Sequence, residues 1–195
     1  QLYVIRHGES VANYEGRLPE PSTPLTKKGE EQANSIAELL KGKGVELIYS
    51  SPFERALQTS RIIAEKLGLA IVEKPELRDM DYGEIAGKGT DDYEVKKILS
   101  QLNLTNPDYR IPGGGNFHDL QSRIKQAVDE ILNCGRNVVA SVGHKDGNRI
   151  LLGEILGLSL RRSIDIEQDN DEMYLIDTVT RDVMDIRFSK GLRFW

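Results

Sequence analysis

The sequence predicts an α/β fold: a three-layer α/β/α sandwich around a mainly parallel central sheet. Two observations lead there. Short, continuous apolar runs alternate along the chain with longer stretches whose apolar residues recur at helical spacing. The short runs are apolar throughout rather than at every second residue, the pattern of strands buried on both faces.

Leu2 to Ile5 is the first such run, ending at Arg6. A polar, Pro-containing loop follows, and Thr26 is placed to cap a helix whose apolar face is Ala33, Ile36, Ala37 and Leu40, stopped by Gly42. Val45 to Tyr49 reads as the second strand. In Ser51-Pro52-Phe53-Glu54, Ser51 is a capping residue, Pro52 suits the first helical position and Glu54 completes a capping box. That helix continues through Ala56, Ile63 and Leu67 to Gly68. Ala70 to Val72 is a third strand.

The segment from Arg78 to Pro112 is the least regular, with a short helix expected around Tyr93 to Leu102. After Pro112-Gly113-Gly114-Gly115 comes an amphipathic helix with Leu120, Ile124, Ala127, Val128 and Ile131 on one face. Val138 to Val142 is another buried strand, and Ile150 to Leu156 a helix ending at Gly157. Met173 to Thr178 and Val183 to Phe188, split by Thr180-Arg181-Asp182, suggest a closing hairpin. No Pro/Gly/Ser-rich linker or repeat interrupts the chain, so residues 1–195 read as a single domain.

Composition excludes several classes. With 195 residues, 38% hydrophobic and 29% charged, the chain can bury a substantial core. No apolar run is long enough to span a bilayer, and no signal peptide is visible in a sequence that begins at Gln1. A net charge of −5 argues against a general nucleic-acid binder. The single cysteine, Cys134, fits a reducing compartment, so the expected location is cytoplasmic.

In open α/β sheets ligands bind beyond the carboxyl ends of the strands. Arg6 and His7 follow the first strand, and Arg55 lies in the first turn after the second. Glu76, Asp79 and Asp81 follow the third, and His144 follows the Val138 to Val142 strand. Taken singly, each has an ordinary reading: a structural histidine (as His118 is expected to be), a solvated arginine, a charged loop. Together they form a set suited to phosphate. Two arginines offer forked donors, an imidazole can attack phosphorus, a second histidine adds a donor where charge develops, and a carboxylic acid can protonate the departing alkoxide. Cationic side chains take the neutralising role that a metal ion has elsewhere, so no metal or cofactor is expected.

Leu2-Tyr3-Val4-Ile5-Arg6-His7-Gly8-Glu9-Ser10 with Asn13 resembles the opening signature of the histidine phosphatase superfamily, the phosphoglycerate-mutase-like enzymes. Pro24 to Gly29 with Gln32-Ala33, Ser50-Ser51-Pro52 with Arg55, Ala56 and Thr59, Leu77 to Gly83, and Gly143-His144 resemble its later blocks, in order, over about the first 160 residues. The resemblance implies that His7 is the phosphorylated nucleophile. Arg6, Arg55 and His144 would hold the phosphoryl group and Asn13 would touch it. It makes Asp79 the acid, one methylene shorter than the usual glutamate, with Glu76, Asp81 and Glu84 as fallback candidates. Lys145, where the family has a small residue, is a candidate contact for an anionic substrate.

Two enzymatic readings follow. One is a phosphatase releasing phosphate from a small phosphorylated metabolite. The other is a cofactor-dependent phosphoglycerate mutase. Mutases of this family are usually longer, with a segment that keeps water from the phosphoenzyme, and the stretch Tyr14 to Pro21 does not resemble theirs. The phosphatase is therefore preferred. A third reading, a non-catalytic phospho-ligand-binding domain, fits poorly with an intact nucleophile set. Specificity is expected from Tyr14 to Thr23 and Arg78 to Gly115. A homo-oligomer is compatible with the sequence.

Overall fold

The structure is a computed structural model that describes residues 1–102, 106–187 and 191–194. Its strands are β1 (Leu2–Arg6), β2 (Leu47–Ser50), β3 (Ile71–Glu73), β4 (Val139–Gly143), β5 (Glu172–Ile176), β6 (Val183–Arg187) and β7 (Gly191–Phe194). Its helices are α1 (Val11–Glu15), α2 (Lys27–Leu40), α3 (Glu54–Leu67), α4 (Tyr93–Gln101), α5 (Phe117–Leu132), α6 (Lys145–Leu156) and α7 (Leu160–Ile164). The sheet runs in the order β3-β2-β4-β1-β5-β6-β7. Its first four strands pair in parallel, and β5, β6 and β7 extend it by antiparallel pairing.

The continuous apolar runs are buried on both faces, as their composition requires. Leu2, Val4 and Val139 pack into one cluster with α5 and α6, around Leu120, Ile124, Ile150 and Leu151. Their alternating neighbours Tyr3, Ile5, Ala140 and Val142 pack into the other with α2 and α3, around Ile36, Leu40 and Ile63. The three layers follow from this two-sided burial.

The helix signals hold where a cap and a stripe coincide. Thr26 accepts from the Gly29 N–H at the start of α2, and Gly68 and Gly157 close α3 and α6 in the left-handed conformation. The face foreseen for α5 is the one it buries. The Ser51 capping box is not formed. Helix α3 starts at Glu54 after Phe53, whose side chain has no acceptor to cap with, and the Ser51 hydroxyl bonds His144. Helix α6 begins five residues earlier than its apolar stripe suggests; Asp146, Gly147 and Asn148 interrupt the stripe without ending the helix. Helix α1 was not foreseen, though Ser10 and Asn13 form a reciprocal capping box there. The expected hairpin is the β5–β6 pair, and Phe188 lies outside the described residues.

Two glycines join the N-terminal motif to α2. A Cβ added at Gly8 would lie 2.2 Å from the Gly29 carbonyl oxygen, and one added at Gly29 would lie 2.1 Å from the Glu9 carbonyl oxygen. Backbone meets backbone here, so neither position has room for a side chain. Gly29→Ala is therefore expected to lose about 1–3 kcal/mol of stability or more through overpacking. Glu31→Ala, on the exposed side of the same helix, should stay within about 0.5 kcal/mol. Urea unfolding midpoints of the two variants check this.

Candidate active site

The sheet register builds the site. Arg6 on β1 lies beside Gly143 on β4, and Ser50 on β2 lies beside Val142. One step past these pairs, the His7 N–H donates to the Gly143 carbonyl at 3.0 Å and the Ser51 N–H to the Val142 carbonyl at 2.9 Å. His7, Ser51 and His144 therefore emerge side by side from three adjacent strands. The two imidazole rings meet edge to face with centroids 5.2 Å apart.

Arg55 enters from the first turn of α3 and is fully buried. Its Nε–H donates to His7 Nε2 at 3.2 Å, one terminal nitrogen to the Glu20 carbonyl at 3.0 Å, and the other to Asp79 Oδ2 at 2.8 Å. His7 Nδ1 lies 2.7 Å from the Gly8 carbonyl oxygen. A carbonyl only accepts, so Nδ1 carries the proton and Nε2 presents its lone pair inward. The backbone thus sets the tautomer a nucleophile needs.

Burial comes first among the influences on His7, followed by competition with the adjacent His144 for a proton and by the charges of Arg55 and Arg6; together they hold its pKa well below the ordinary imidazole value. His144 is depressed in the same way by burial and by Arg55 and Arg6. Both rings are neutral at physiological pH in this environment. His144 Nε2 bonds the Ser51 hydroxyl at 2.8 Å. Its Nδ1 is buried without a hydrogen-bond partner, 3.5 Å from Asp79 Oδ2. Arg6 is likewise only part-satisfied: one Nη donates to the Gln168 carbonyl at 2.7 Å, while its Nε is buried and unpartnered.

Among the foreseen residues, His7, Arg55, His144 and Asp79 are brought into mutual contact, and Arg6 stands half-buried beside them, next to His7 in sequence. Asp79 is itself buried, with Oδ1 accepting from the Met80 N–H. The fallback carboxylates are less well placed. Asp81 is exposed and accepts from the Gly83 N–H, Glu84 is exposed, and Glu76 offers its carbonyl to Arg123. Asn13 and Lys145 do not join the group. Asn13 is exposed and its Oδ1 accepts from Ser10 in the α1 cap; Lys145 pairs with Glu167. His118 lies exposed on α5 beside Asp108, 3.2 Å away.

Sequence reasoning missed Ser51 as the partner of His144. It also missed Thr59, whose hydroxyl accepts from the Gly8 N–H at 3.1 Å, and Asn170, which donates to the His7 carbonyl at 2.7 Å. Asn148, Gln168 and Asn170 carried no signal, because their contacts lie far away in sequence.

A cavity of about 450 Å³ adjoins the cluster, touching it at Asp79 and at Phe53, whose ring packs edgewise on His144. Its walls come from both loops singled out for specificity, at Pro19, Pro21, Arg78 to Tyr82 and Arg110, and from the start of α5. No helix among the described residues is long and apolar enough to cross a membrane.

Fold and site together define an α/β protein with a neutral imidazole and two arginines gathered at the carboxyl edge of a parallel sheet. The model of the histidine phosphatase superfamily (branch 1) matches residues 2–184, and the chain belongs to that superfamily. It is 35% identical over 164 residues to the "Probable phosphoglycerate mutase GpmB" of Enterobacter sp. (strain 638), covering 81% of this chain and 75% of that one. The protein of the same name from Cronobacter sakazakii is 34% identical over the same coverage. Among solved structures, the alpha-ribazole phosphatase from Shigella flexneri superposes with a TM-score of 0.81 at 24% identity, over 99% of this chain and 94% of that one. Bacillus stearothermophilus YhfR gives 0.79 at 25% identity, over 90% and 91%. A mycobacterial glucosyl-3-phosphoglycerate phosphatase gives 0.77 at 21% identity, over 100% and 97%.

The depressed histidines carry a stability consequence. Unfolded imidazoles bind protons below about pH 6.5, while the native ones resist. Their contribution is complete above that pH and is lost as pH falls. Thermal midpoints should therefore drop from about pH 6.5 downward, and His144→Gln should flatten the slope. A parallel pH dependence in the variant would contradict the burial argument.

Proposed function

We propose that this protein is a metal-independent phosphomonoesterase that works through a phosphohistidine on His7. The observation that carries the reading is the buried, neutral His7 with its Nε2 lone pair directed at Arg55, inside a cluster that holds two unpartnered buried nitrogens, Arg6 Nε and His144 Nδ1. Buried polar atoms in native proteins are nearly always paired. A phosphoryl group seated among these residues would supply the missing acceptors and the negative charge that two arginines call for.

In this reading the phosphoryl group enters between His7 and Arg55, and the guanidinium turns its donors to the phosphoryl oxygens. Nε2 of His7 attacks phosphorus in line as the P–O bond to the leaving alcohol breaks. Asp79, released from Arg55 and protonated from solvent or from the substrate monoanion, gives that oxygen the proton. Water then attacks the phosphohistidine, Asp79 takes a proton back, and orthophosphate leaves with His7 restored. His144, held by Ser51, donates to an equatorial oxygen as charge builds. Asn13 is a further contact to the phosphoryl group and Lys145 an outer contact to substrate, each requiring its side chain to leave its present partner.

The cavity beside Asp79 would receive the leaving group. Arg78, Arg110 and Arg123 line it together with Asp81 and Asp119, beside the Asp79 already paired with Arg55. Arg110 is closed onto Asp119, and Arg123 is spent on the carbonyls of Glu76, Arg78 and Asp79. A pocket whose Arg110 and Arg123 are already committed, with Phe53, Met80, Tyr82 and Leu120 in its walls, suits a small metabolite whose alcohol part is largely neutral. This favours hydrolysis over the mutase reading that the curated relatives' name raises, since a phosphoglycerate brings a second anion. The single free cysteine, Cys134, supports a cytoplasmic location.

Phosphate release from p-nitrophenyl phosphate is expected to persist in chelator and to collapse in His7→Ala. Dependence on a divalent metal, or activity without His7, would overturn the mechanism. Isomerisation of 3-phosphoglycerate without hydrolysis would establish the mutase instead. Asp79→Asn should cost about 10²-fold or more on an alkyl phosphate, whose leaving group needs a proton, and much less on p-nitrophenyl phosphate. Equal losses on both would move the acid elsewhere.

A further inference from the structure

Arg6 is held by a backbone carbonyl, that of Gln168, on an irregular segment between α7 and β5. Such segments are ordinarily the most mobile parts of a fold. A carbonyl there can orient a guanidinium only if something fixes the segment. The Gln168 side chain does so. It is 1% exposed, and both its amide nitrogen and its amide oxygen are hydrogen-bonded. Nε2 donates to the Val4 carbonyl of β1 at 3.1 Å and to the Glu172 carbonyl at 3.4 Å. Oε1 accepts from Asn148 Nδ2 at 2.8 Å, and Asn148 also donates to the Ile5 carbonyl at 3.0 Å. Two residues on, Asn170 holds the His7 carbonyl. The segment is therefore laced to the end of β1 on both sides of Arg6.

We infer that Gln168 is a positioning residue: its side-chain amide anchors its own carbonyl against β1, and that carbonyl aims Arg6 at the phosphoryl group. The inference rests on the proposed phosphate site but concerns a residue outside it. Gln168 touches neither His7 nor Asp79, and its direct link to the anion is Arg6. Its loss is therefore felt in the binding of the phosphoryl group rather than in proton transfer by Asp79. Glutamate cannot replace it, since a carboxylate would face two carbonyl oxygens with no hydrogen to give.

The test measures orthophosphate binding by calorimetry, alongside kcat and KM for p-nitrophenyl phosphate, in wild type, Gln168→Ala, Arg6→Ala and the double variant. Circular dichroism reports folding. Gln168→Ala should weaken orthophosphate binding and raise KM by about ten-fold or more, the range for losing a hydrogen bond to a charged group, with a smaller change in kcat. In the Arg6→Ala background the same substitution should have almost no further effect on binding. A core variant, Ile36→Val, controls for lost stability and should leave orthophosphate binding unchanged. If Gln168→Ala does not fold, Gln168→Met, which keeps the length but none of the hydrogen bonds, takes its place. Equal orthophosphate affinity in wild type and the Gln168 variant would overturn the inference alone. So would a full loss that persists without Arg6. A wild type that binds no orthophosphate would overturn the phosphate site and this inference with it.

Discussion

The buried guanidinium of Arg55 is the interaction on which the rest of this site depends. A fully buried cation is tolerable only when its donors are met, and here three separate parts of the chain meet them. His7 comes from the first strand, the Glu20 carbonyl from the loop after α1, and Asp79 from the irregular segment after β3. Arg55 thus holds together the proposed nucleophile, the candidate acid and one wall of the cavity. It also occupies the lone pair on His7 Nε2, so a phosphoryl group would have to displace it, drawing the guanidinium onto its own oxygens.

The sheet makes this convergence possible. Because β1, β4 and β2 lie side by side in register, three residues far apart in sequence leave the sheet at one level: His7, His144 and Ser51. Two-sided burial fixes that register, since sliding a strand by one residue would exchange the sets packed on α5–α6 and on α2–α3. The Gly8–Gly29 contact then locks the loop after His7 against α2. The backbone bond from His7 Nδ1 to Gly8 sets the ring's proton, so strand packing is connected to imidazole chemistry through a single carbonyl.

Departures from the expected local structure cluster where side chains serve the site. Ser51 has the look of a helix cap, and its hydroxyl does accept from the Phe53 N–H at 3.3 Å, but its closer partner is His144 at 2.8 Å. Asn13 reads as a phosphate contact by resemblance and sits in a capping box. Lys145 reads as a cation at the pocket mouth and is paired with Glu167. In each case local pattern names a residue type correctly while a partner it does not name decides its use: His144 and Glu167 far away in sequence, Ser10 three residues before Asn13. Helices α1 and α7 escaped notice for a simpler reason: five residues are too few for a helical period to show.

The sequence by itself determined the alternation of strand and helix, the burial of the short apolar runs, and the delivery of Arg6, His7, Arg55, Asp79 and His144 to strand ends. Those follow from local periodicity and from the rule that parallel strands must be covered on both faces. Only the tertiary structure decided which nitrogen of His7 carries the proton, that burial and neighbouring cations favour neutral imidazoles, and that Asp79 rather than Asp81 or Glu84 meets Arg55. It alone placed Gln168 behind Arg6, 162 residues away in the chain. Tautomer, charge state and partner choice depend on distance and burial, and neither is written in the order of residues.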